Sequence, residues 1–154
     1  MRRLIEMVLE RWALVALISS ALMLAIAHAF EAAGYAPCLL CLRQREVYWV
    51  AGAVALAGAV AGLALKGRTW TALVAAVLGA IFLYGAGLAA FHAGVEWRFW
   101  PGPRACAGVG GGGVTAEDMA AMLSGGPVEM PGCDKPAWVF LGLSMAGWNA
   151  LVSL

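Results

Sequence analysis

The sequence predicts an all-α membrane protein, a four-transmembrane-helix bundle with a short surface helix in its second external loop. Of the 154 residues, 63% are hydrophobic and only 12% are charged, and the mean hydropathy is +0.84. A soluble domain of this size could not remove so much apolar surface from water. The apolar residues also fall into four segments of 18 to 23 residues, each long enough to cross a bilayer. We therefore expect one membrane domain over residues 1–154.

The first two spans are predicted over residues 12–30 and 47–65. The first follows a basic start and has a small-residue pattern at 27–29, which also resembles a secretory signal with its cleavage site. Its apolar run exceeds the usual signal core of about 7–15 residues, so we interpret it as a retained transmembrane helix. The second span contains Gly58 and Gly62, a spacing that allows helix backbones to approach closely in lipid.

The third and fourth spans are predicted over residues 69–91 and 137–154. The basic turn at 66–68 is so short that spans two and three must form an antiparallel hairpin. The fourth span is just long enough to cross, and no basic tail follows it in the sequence.

The long loop between these spans, residues 92–136, is expected to carry a surface helix. Thr115 predicts its start, because its side chain can cap a helix whose first turn is acidic. Apolar residues then follow at helical spacing on one face, namely Met119, Met122 and Leu123. Such a face is typical of helices that lie on a membrane surface, and the alternative is a loop helix packed on protein.

Basic residues predict the orientation of the spans. The N-terminus and the 66–68 turn carry five Lys and Arg residues in 14 positions, whereas the links at 31–46 and 92–136 carry five in 61. Both termini are therefore expected in the cytoplasm, with all four cysteines on the opposite, oxidising face, where disulfides are permitted. The net charge of +1 gives no reason to expect a nucleic-acid partner.

The stretch from Pro37 to Arg45 is the strongest candidate for chemistry. If Pro37 is the first residue of a helix, then Cys38, Cys41 and Arg45 share one face. Both sulfurs then lie where free N–H groups and the helix dipole favour a thiolate. A static disulfide or half of a four-cysteine zinc site are the alternatives. The other two cysteines, Cys106 and Cys133, lie 27 residues apart, unlike the second close pair of a zinc site.

Four further side chains could serve this site. Arg45 could be an ordinary interfacial arginine, but its position relative to the sulfurs favours stabilisation of a thiolate. His92 closes the third span at a depth near that of Cys41, where it could be structural or donate a hydrogen bond to a cofactor. Met145 and Trp148 could line an apolar cavity or simply pack.

These motifs together resemble the disulfide bond formation protein B (DsbB) family. The stretch from Pro37 to Arg45 resembles its Cys-x-x-Cys-x-x-x-Arg signature. Phe91 and His92, with residues 100–106, resemble the start of its second periplasmic loop. Cys133 with residues 138–145 resembles the segment that enters its fourth helix. The similarity covers essentially the whole chain.

The resemblance implies a thiol oxidase of the bacterial inner membrane. Such an enzyme reoxidises a periplasmic thioredoxin-like (DsbA-like) dithiol oxidase and passes two electrons to quinone, ubiquinone or menaquinone, and thus indirectly to the respiratory chain. The resemblance also implies disulfides within Cys38–Cys41 and within Cys106–Cys133.

The resemblance further implies a division of roles. Cys106 would form the mixed disulfide with the partner, and Cys133 would then exchange with Cys38. Cys41, with Arg45, would face the quinone. The remaining positions that match the surroundings of the quinone are His92 and Met145.

Two other functions remain open from the sequence. A quinone reductase of the vitamin K epoxide reductase type also has four helices and two cysteine pairs, but its Cys-x-x-Cys lies late in the chain. A non-catalytic membrane protein could use the same cysteines only to brace its loops.

Overall fold

A computed structural model describes residues 2–65, 67–103, 106, 120, 124 and 131–154 of the chain. Its elements are α1 (Arg2–Ala32), α2 (Leu39–Ala64), α3 (Arg68–Glu96), β1 (Val139–Phe140), β2 (Leu143–Ser144) and α4 (Met145–Val152). Three helical stretches are long and apolar enough to cross a membrane, namely Arg11–Ala32, Leu39–Ala64 and Arg68–Glu96. The protein is therefore a multi-pass membrane protein, as predicted, and the surface helix expected from Thr115 lies outside the described residues.

The three long helices pack against one another through small side chains. Their shared core consists of Ala16, Ala51, Ala55, Val74 and Leu78. At Gly58 the missing side chain makes room for Val74 of α3, because a Cβ there would lie 2.7 Å from Val74 Cγ1. Trp70 Nε1 also donates a hydrogen bond to the Gly58 carbonyl at 3.2 Å. Close approach at Gly58 thus joins α2 to α3, as its spacing predicted.

The fourth predicted span differs most from expectation. Instead of one helix over 137–154, the chain forms a hairpin in which Val139 pairs with Ser144, and only then enters α4. Leu141 and Gly142 both have positive φ, 51° and 79°, as a tight hairpin turn requires. Ser144 then caps α4 by accepting a hydrogen bond from the Gly147 N–H at 3.1 Å. At about 1.5 Å per residue, α4 is too short to cross a bilayer, so a fourth span is not confirmed.

Two helix boundaries place the site differently from the prediction. The second helix begins at Leu39 rather than at Val47, so Cys41 and Arg45 are helical. The third helix continues to Glu96, five residues beyond Phe91, so His92 also lies on a helix. Cys41, Arg45 and His92 therefore lie at helix ends, whereas Cys106 and Cys133 lie in the connection between α3 and β1.

The contact at Gly58 gives a stability test. Changing Gly58→Ala should destabilise the α2–α3 hairpin by roughly 1–3 kcal/mol, because Val74 must move out of the way. Gly79→Ala is the matched control, since no atom lies within 4 Å of a Cβ there. Thermal unfolding in detergent measures both variants, and equal melting temperatures for the two would contradict the contact.

Candidate active site

Cys38 and Cys41 lie together at the start of α2. Cys38 is the N-cap residue, and its sulfur accepts the Cys41 backbone N–H at 3.3 Å. Pro37 precedes the cap, so the prediction that it is the first helical residue was wrong by two positions. The two sulfurs are 2.7 Å apart, and both cysteines are free, so the disulfide implied for this pair is not formed in this structure.

The close contact makes the two thiols unequal. The hydrogen bond with Cys41, together with burial, raises the pKa of the Cys38 thiol. If the reduced pair loses one proton, the hydrogen bond therefore favours the loss from Cys41 rather than from Cys38. Cys41 lies in the first turn of α2, where free N–H groups and the helix dipole favour an anion.

The second pair, Cys106 and Cys133, forms a disulfide with Cα atoms 5.3 Å apart. Both residues are buried, and they pack in one cluster with Cys38, Leu40 and Val95. The structure thus brings all four cysteines together at one end of the helices, since Cys41 also packs against this cluster.

Contacts of Trp100 with the end of α3 fix the path of the loop that leads to Cys106. The Trp100 ring lies directly over Gly94, where an added Cβ would come within 2.1 Å of it. Trp100 Nε1 donates to the Phe91 carbonyl at 3.0 Å, and the two rings stack. Gly94 is therefore the position at which the loop folds back onto the helix end.

The described hydrogen bonds of Arg45 go to α1 and not to the sulfurs. Its Nη1 donates to Glu31 Oε2 at 2.5 Å, and its Nη2 donates to the Ala27 carbonyl at 3.1 Å. Both partners belong to the end of α1, so the guanidinium ties α1 to α2. Arg45 nevertheless lines the same cavity as Cys41, and its side chain is only 14% exposed.

His92 was expected at a depth near that of Cys41, and in the structure it contacts Cys38. Its Nε2 is 3.6 Å from Cys38 Sγ and 3.8 Å from Glu96 Oε1, and its Nδ1 is 2.8 Å from Gln44 Nε2. The ring also has a hydrogen bond to the Cys133 backbone. His92 thus makes polar contacts with both cysteine pairs.

Sequence reasoning missed three buried polar residues around His92. Gln44 and Asn149 are joined to each other by a hydrogen bond from Asn149 Nδ2 to Gln44 Oε1. Glu96 has a side chain that is 5% exposed and a hydrogen bond with Ser144. Its Oε2 is buried without a partner among the described residues. A polar side chain within an apolar span is the signal that could have found Asn149. Gln44 and Glu96 lay outside the predicted spans and had no such signal.

A cavity of about 410 Å³ opens beside Cys41. Its walls are mostly apolar and aromatic, and they include Phe30, Trp138, Phe140, Met145 and Trp148. The polar side chains in the lining include those of Cys38, Cys41, Gln44, Arg45, Tyr48, His92, Glu96, Lys135, Trp138, Trp148 and Asn149. Ile26, which is 42% exposed on the outside of α1, also lines the cavity, so the cavity reaches the apolar exterior. This size and lining suit a largely apolar organic cofactor.

Cys38, Cys41 and His92 could also be considered as metal ligands, because their ligand atoms lie within 4.8 Å of one another. Tetrahedral zinc, with Zn–S bonds of about 2.3 Å, would separate the two sulfurs by roughly 3.8 Å. The observed 2.7 Å is much shorter. The geometry of the pair therefore favours thiol–disulfide chemistry over the zinc alternative.

Fold and site together define a class, that of transmembrane oxidoreductases of disulfide bond formation. The family model described as Disulfide bond formation protein DsbB matches residues 9–154. A relative, Disulfide bond formation protein B of Aromatoleum aromaticum (strain DSM 19018 / LMG 30748 / EbN1), is 34% identical over 128 residues, which cover 77% of this chain and 69% of that protein. No solved structure matches the chain. The chain belongs to the DsbB family.

The Arg45 contacts predict a structural effect that is independent of chemistry. Arg45→Ala should destabilise the protein by roughly 1–3 kcal/mol, because it removes two hydrogen bonds between α1 and α2. Glu31→Ala should act in the same direction with a smaller effect, because the Glu31 side chain is 44% exposed. Arg43→Ala is the control. Arg43 makes an exposed pair with Glu46 at 2.9 Å, and such pairs contribute at most about 1 kcal/mol. Chemical unfolding in detergent measures the free energy of unfolding of all three variants. If Arg43→Ala lost as much stability as the other two, the link that Arg45 makes between α1 and α2 would be refuted.

Proposed function

We propose that this protein is a thiol:quinone oxidoreductase that reoxidises a periplasmic, thioredoxin-like (DsbA-like) dithiol oxidase. The observation that carries the proposal is the single buried cluster that contains both cysteine pairs. A disulfide used only as a brace needs no second pair of free thiols in contact with it. Two pairs packed together allow a disulfide to pass from one to the other.

The exchange begins at Cys106. A thiolate of the partner attacks its sulfur, the bond to Cys133 breaks, and Cys133 leaves as a thiolate. When Cys38 and Cys41 are joined by a disulfide, the Cys133 thiolate attacks Cys38, and Cys41 leaves as the new thiolate. Each step forms one S–S bond and breaks one, so the charge passes from the partner to Cys41. The helix start at Cys41 suits it to hold that charge.

The cavity beside Cys41 supports quinone as the electron acceptor. Its aromatic walls can enclose a planar ring, and its opening at Ile26 leaves room for an isoprenoid tail among lipids. Glu96 Oε2, which has no partner among the described residues, could accept a hydrogen bond from a hydroxyl group of the reduced ring. Cys41, Arg45, His92 and Met145 would hold the ring. When bound, ubiquinone or menaquinone would accept the two electrons released as Cys38 and Cys41 regain their disulfide.

The orientation in the membrane is also part of the proposal. The N-terminus of α2 and the C-terminus of α3 carry the cysteine cluster at one end of the helices, and the basic turn at 66–68 lies between their other ends. Basic residues favour the cytoplasm. We therefore place the cysteines in the periplasm and the protein in the bacterial inner membrane, with both termini in the cytoplasm.

Quinone reduction by the purified protein tests the proposal. With a reduced DsbA-like partner and a soluble quinone analogue, the wild-type protein should turn over, and Cys41→Ser should lose at least about 100-fold, because the hydroxyl replaces the thiolate nucleophile. Leu83→Ala is a matched control, because Leu83 is 64% exposed on α3 and outside the site. Undiminished turnover in Cys41→Ser would sink the proposal, and no turnover by the wild type would favour a bracing role.

A trapped complex tests the order of exchange. A partner with one reactive cysteine should remain bound to Cys106, because it has no second thiol to release itself. In the same complex, Cys133 should be joined to Cys38. Peptide mapping by mass spectrometry reports both bonds, and Cys106→Ser should abolish the complex. Attachment of the partner to Cys38 or Cys41 would contradict the assigned order.

A further inference from the structure

A chain of buried hydrogen bonds links Tyr48, Asn149, Gln44 and His92. The Tyr48 hydroxyl donates to Asn149 Oδ1, and Asn149 Nδ2 donates to Gln44 Oε1. Gln44 Nε2 lies 2.8 Å from His92 Nδ1. The exposed fractions are only 6% for Gln44, 2% for His92 and 9% for Asn149, so water is largely excluded from the chain. These residues come from α2, α3 and α4.

The direction of this chain is determined by its neighbours. Gln44 Nε2 also donates to the Leu40 carbonyl at 3.3 Å, and a carbonyl can only accept. The amide of Gln44 cannot be reversed, because its oxygen would then face the Leu40 oxygen. Gln44 therefore donates to His92 Nδ1, which must be unprotonated. The ring proton of neutral His92 is consequently on Nε2.

The Nε2–H group points to the place where the two cysteine pairs meet. Its nitrogen is 3.6 Å from Cys38 Sγ. Because Gln44 occupies Nδ1, the same N–H also makes the hydrogen bond to the Cys133 backbone, so the two acceptors share it. Glu96 Oε1, at 3.8 Å, is the nearby charged group. Cys38 Sγ already accepts the Cys41 N–H at 3.3 Å. The buried Cys38 sulfur thus faces two N–H donors.

We propose that Gln44 and Asn149 are positioning residues that hold His92 with its proton on Nε2, so that this N–H stabilises negative charge on Cys38. The inference rests on the proposed exchange and deepens it. To close the cycle, the partner's second thiolate attacks the partner's own sulfur in the mixed disulfide, and that bond breaks to release Cys106 as a thiolate. The Cys106 thiolate then attacks Cys133, the Cys38–Cys133 bond breaks, and Cys38 leaves with the electron pair. No proton is transferred in that step. His92 acts as a fixed donor, since Gln44 already occupies Nδ1.

A buried thiolate needs such donors because it has lost its water. Hydrogen bonds to a charged group are stronger than those between neutral groups, and an unpaired charge in an apolar site is costly. If the fully reduced pair loses one proton, the loss is favoured from Cys41 rather than from Cys38. Charge falls on Cys38 only when it leaves Cys133, which is when a donor at His92 Nε2 has an effect.

The inference can be tested directly by measuring which ring nitrogen of His92 carries the proton. Nitrogen-15 NMR of the full-length protein in detergent, with histidine labelled, should show His92 protonated on Nε2 in the wild type. The sequence has two histidines, and His28→Gln assigns the signals. Gln44→Met and Asn149→Leu should shift the proton toward Nδ1 or mix the tautomers. Ser153→Ala is the control, because Tyr48 still donates to Asn149 in that variant.

The second measurement is the ionisation of Cys38 alone, with the other three cysteines replaced by serine. Thiolate absorbance against pH should show about tenfold less thiolate at a fixed pH in Gln44→Met and in Asn149→Leu than in the parent. Ser153→Ala should match the parent. A loss of packing alone would not change the tautomer and the thiolate fraction together.

Three outcomes would overturn the inference. They are a wild-type His92 protonated on Nδ1, unchanged ring signals in both variants, or unchanged Cys38 ionisation after a change of tautomer. If Gln44→Met fails to fold, the wild-type spectrum and Asn149→Leu decide. Neither measurement uses partner or quinone, so a failure of quinone reduction would overturn the proposed function while leaving the tautomer and ionisation results standing.

Discussion

The rest of the site depends on the hydrogen bond in which the Cys38 sulfur accepts the Cys41 N–H. A capping side chain fixes the first turn of a helix, and it therefore fixes the direction of each residue that follows at helical spacing. Cys41, Gln44 and Tyr48 consequently lie on one face of α2, toward the cavity and the polar chain. The reactive sulfur is itself part of the helix start, so no separate loop has to position it.

The polar chain explains how an eight-residue helix is held against longer ones. Lipid is as apolar as the side chains of a membrane helix, so the hydrophobic effect does little to hold α4 in place. Asn149 instead bonds to Gln44 and Tyr48, and the Ser144 cap bonds to Glu96. These contacts place α4 against α2 and α3 and so form one wall of the cavity. The same groups that position the site also assemble the fold.

The sequence was sufficient for features that depend on short-range patterns. Apolar runs predicted four spans, and three of them correspond to helices long and apolar enough to cross a membrane. The cysteine motifs and the resemblance they carry predicted the family. Features that depend on tertiary contacts were missed. Gln44 and Asn149 are 105 residues apart, so their pairing has no local signal. The hairpin before α4 was hidden because Val139, Phe140 and Leu143 are as apolar as a membrane helix, and only Gly142 and Ser144 marked the turn and the cap.

Arg45 shows why two residues on the same helix face are weaker evidence for an interaction than an observed contact between them. Helical periodicity gives the direction in which a side chain leaves its helix. A long side chain such as arginine nevertheless has several possible partners within reach on that side. Arg45 pairs with Glu31, which partly compensates its charge, and with the Ala27 carbonyl near the negative end of the α1 dipole. A thiolate at Cys41 is therefore stabilised first by the hydrogen bond from the Cys38 thiol, whose sulfur lies 2.7 Å away, and also by the N–H groups that begin α2. Arg45 contributes by closing α1 onto the cavity, where its compensated charge leaves the cavity wall largely apolar.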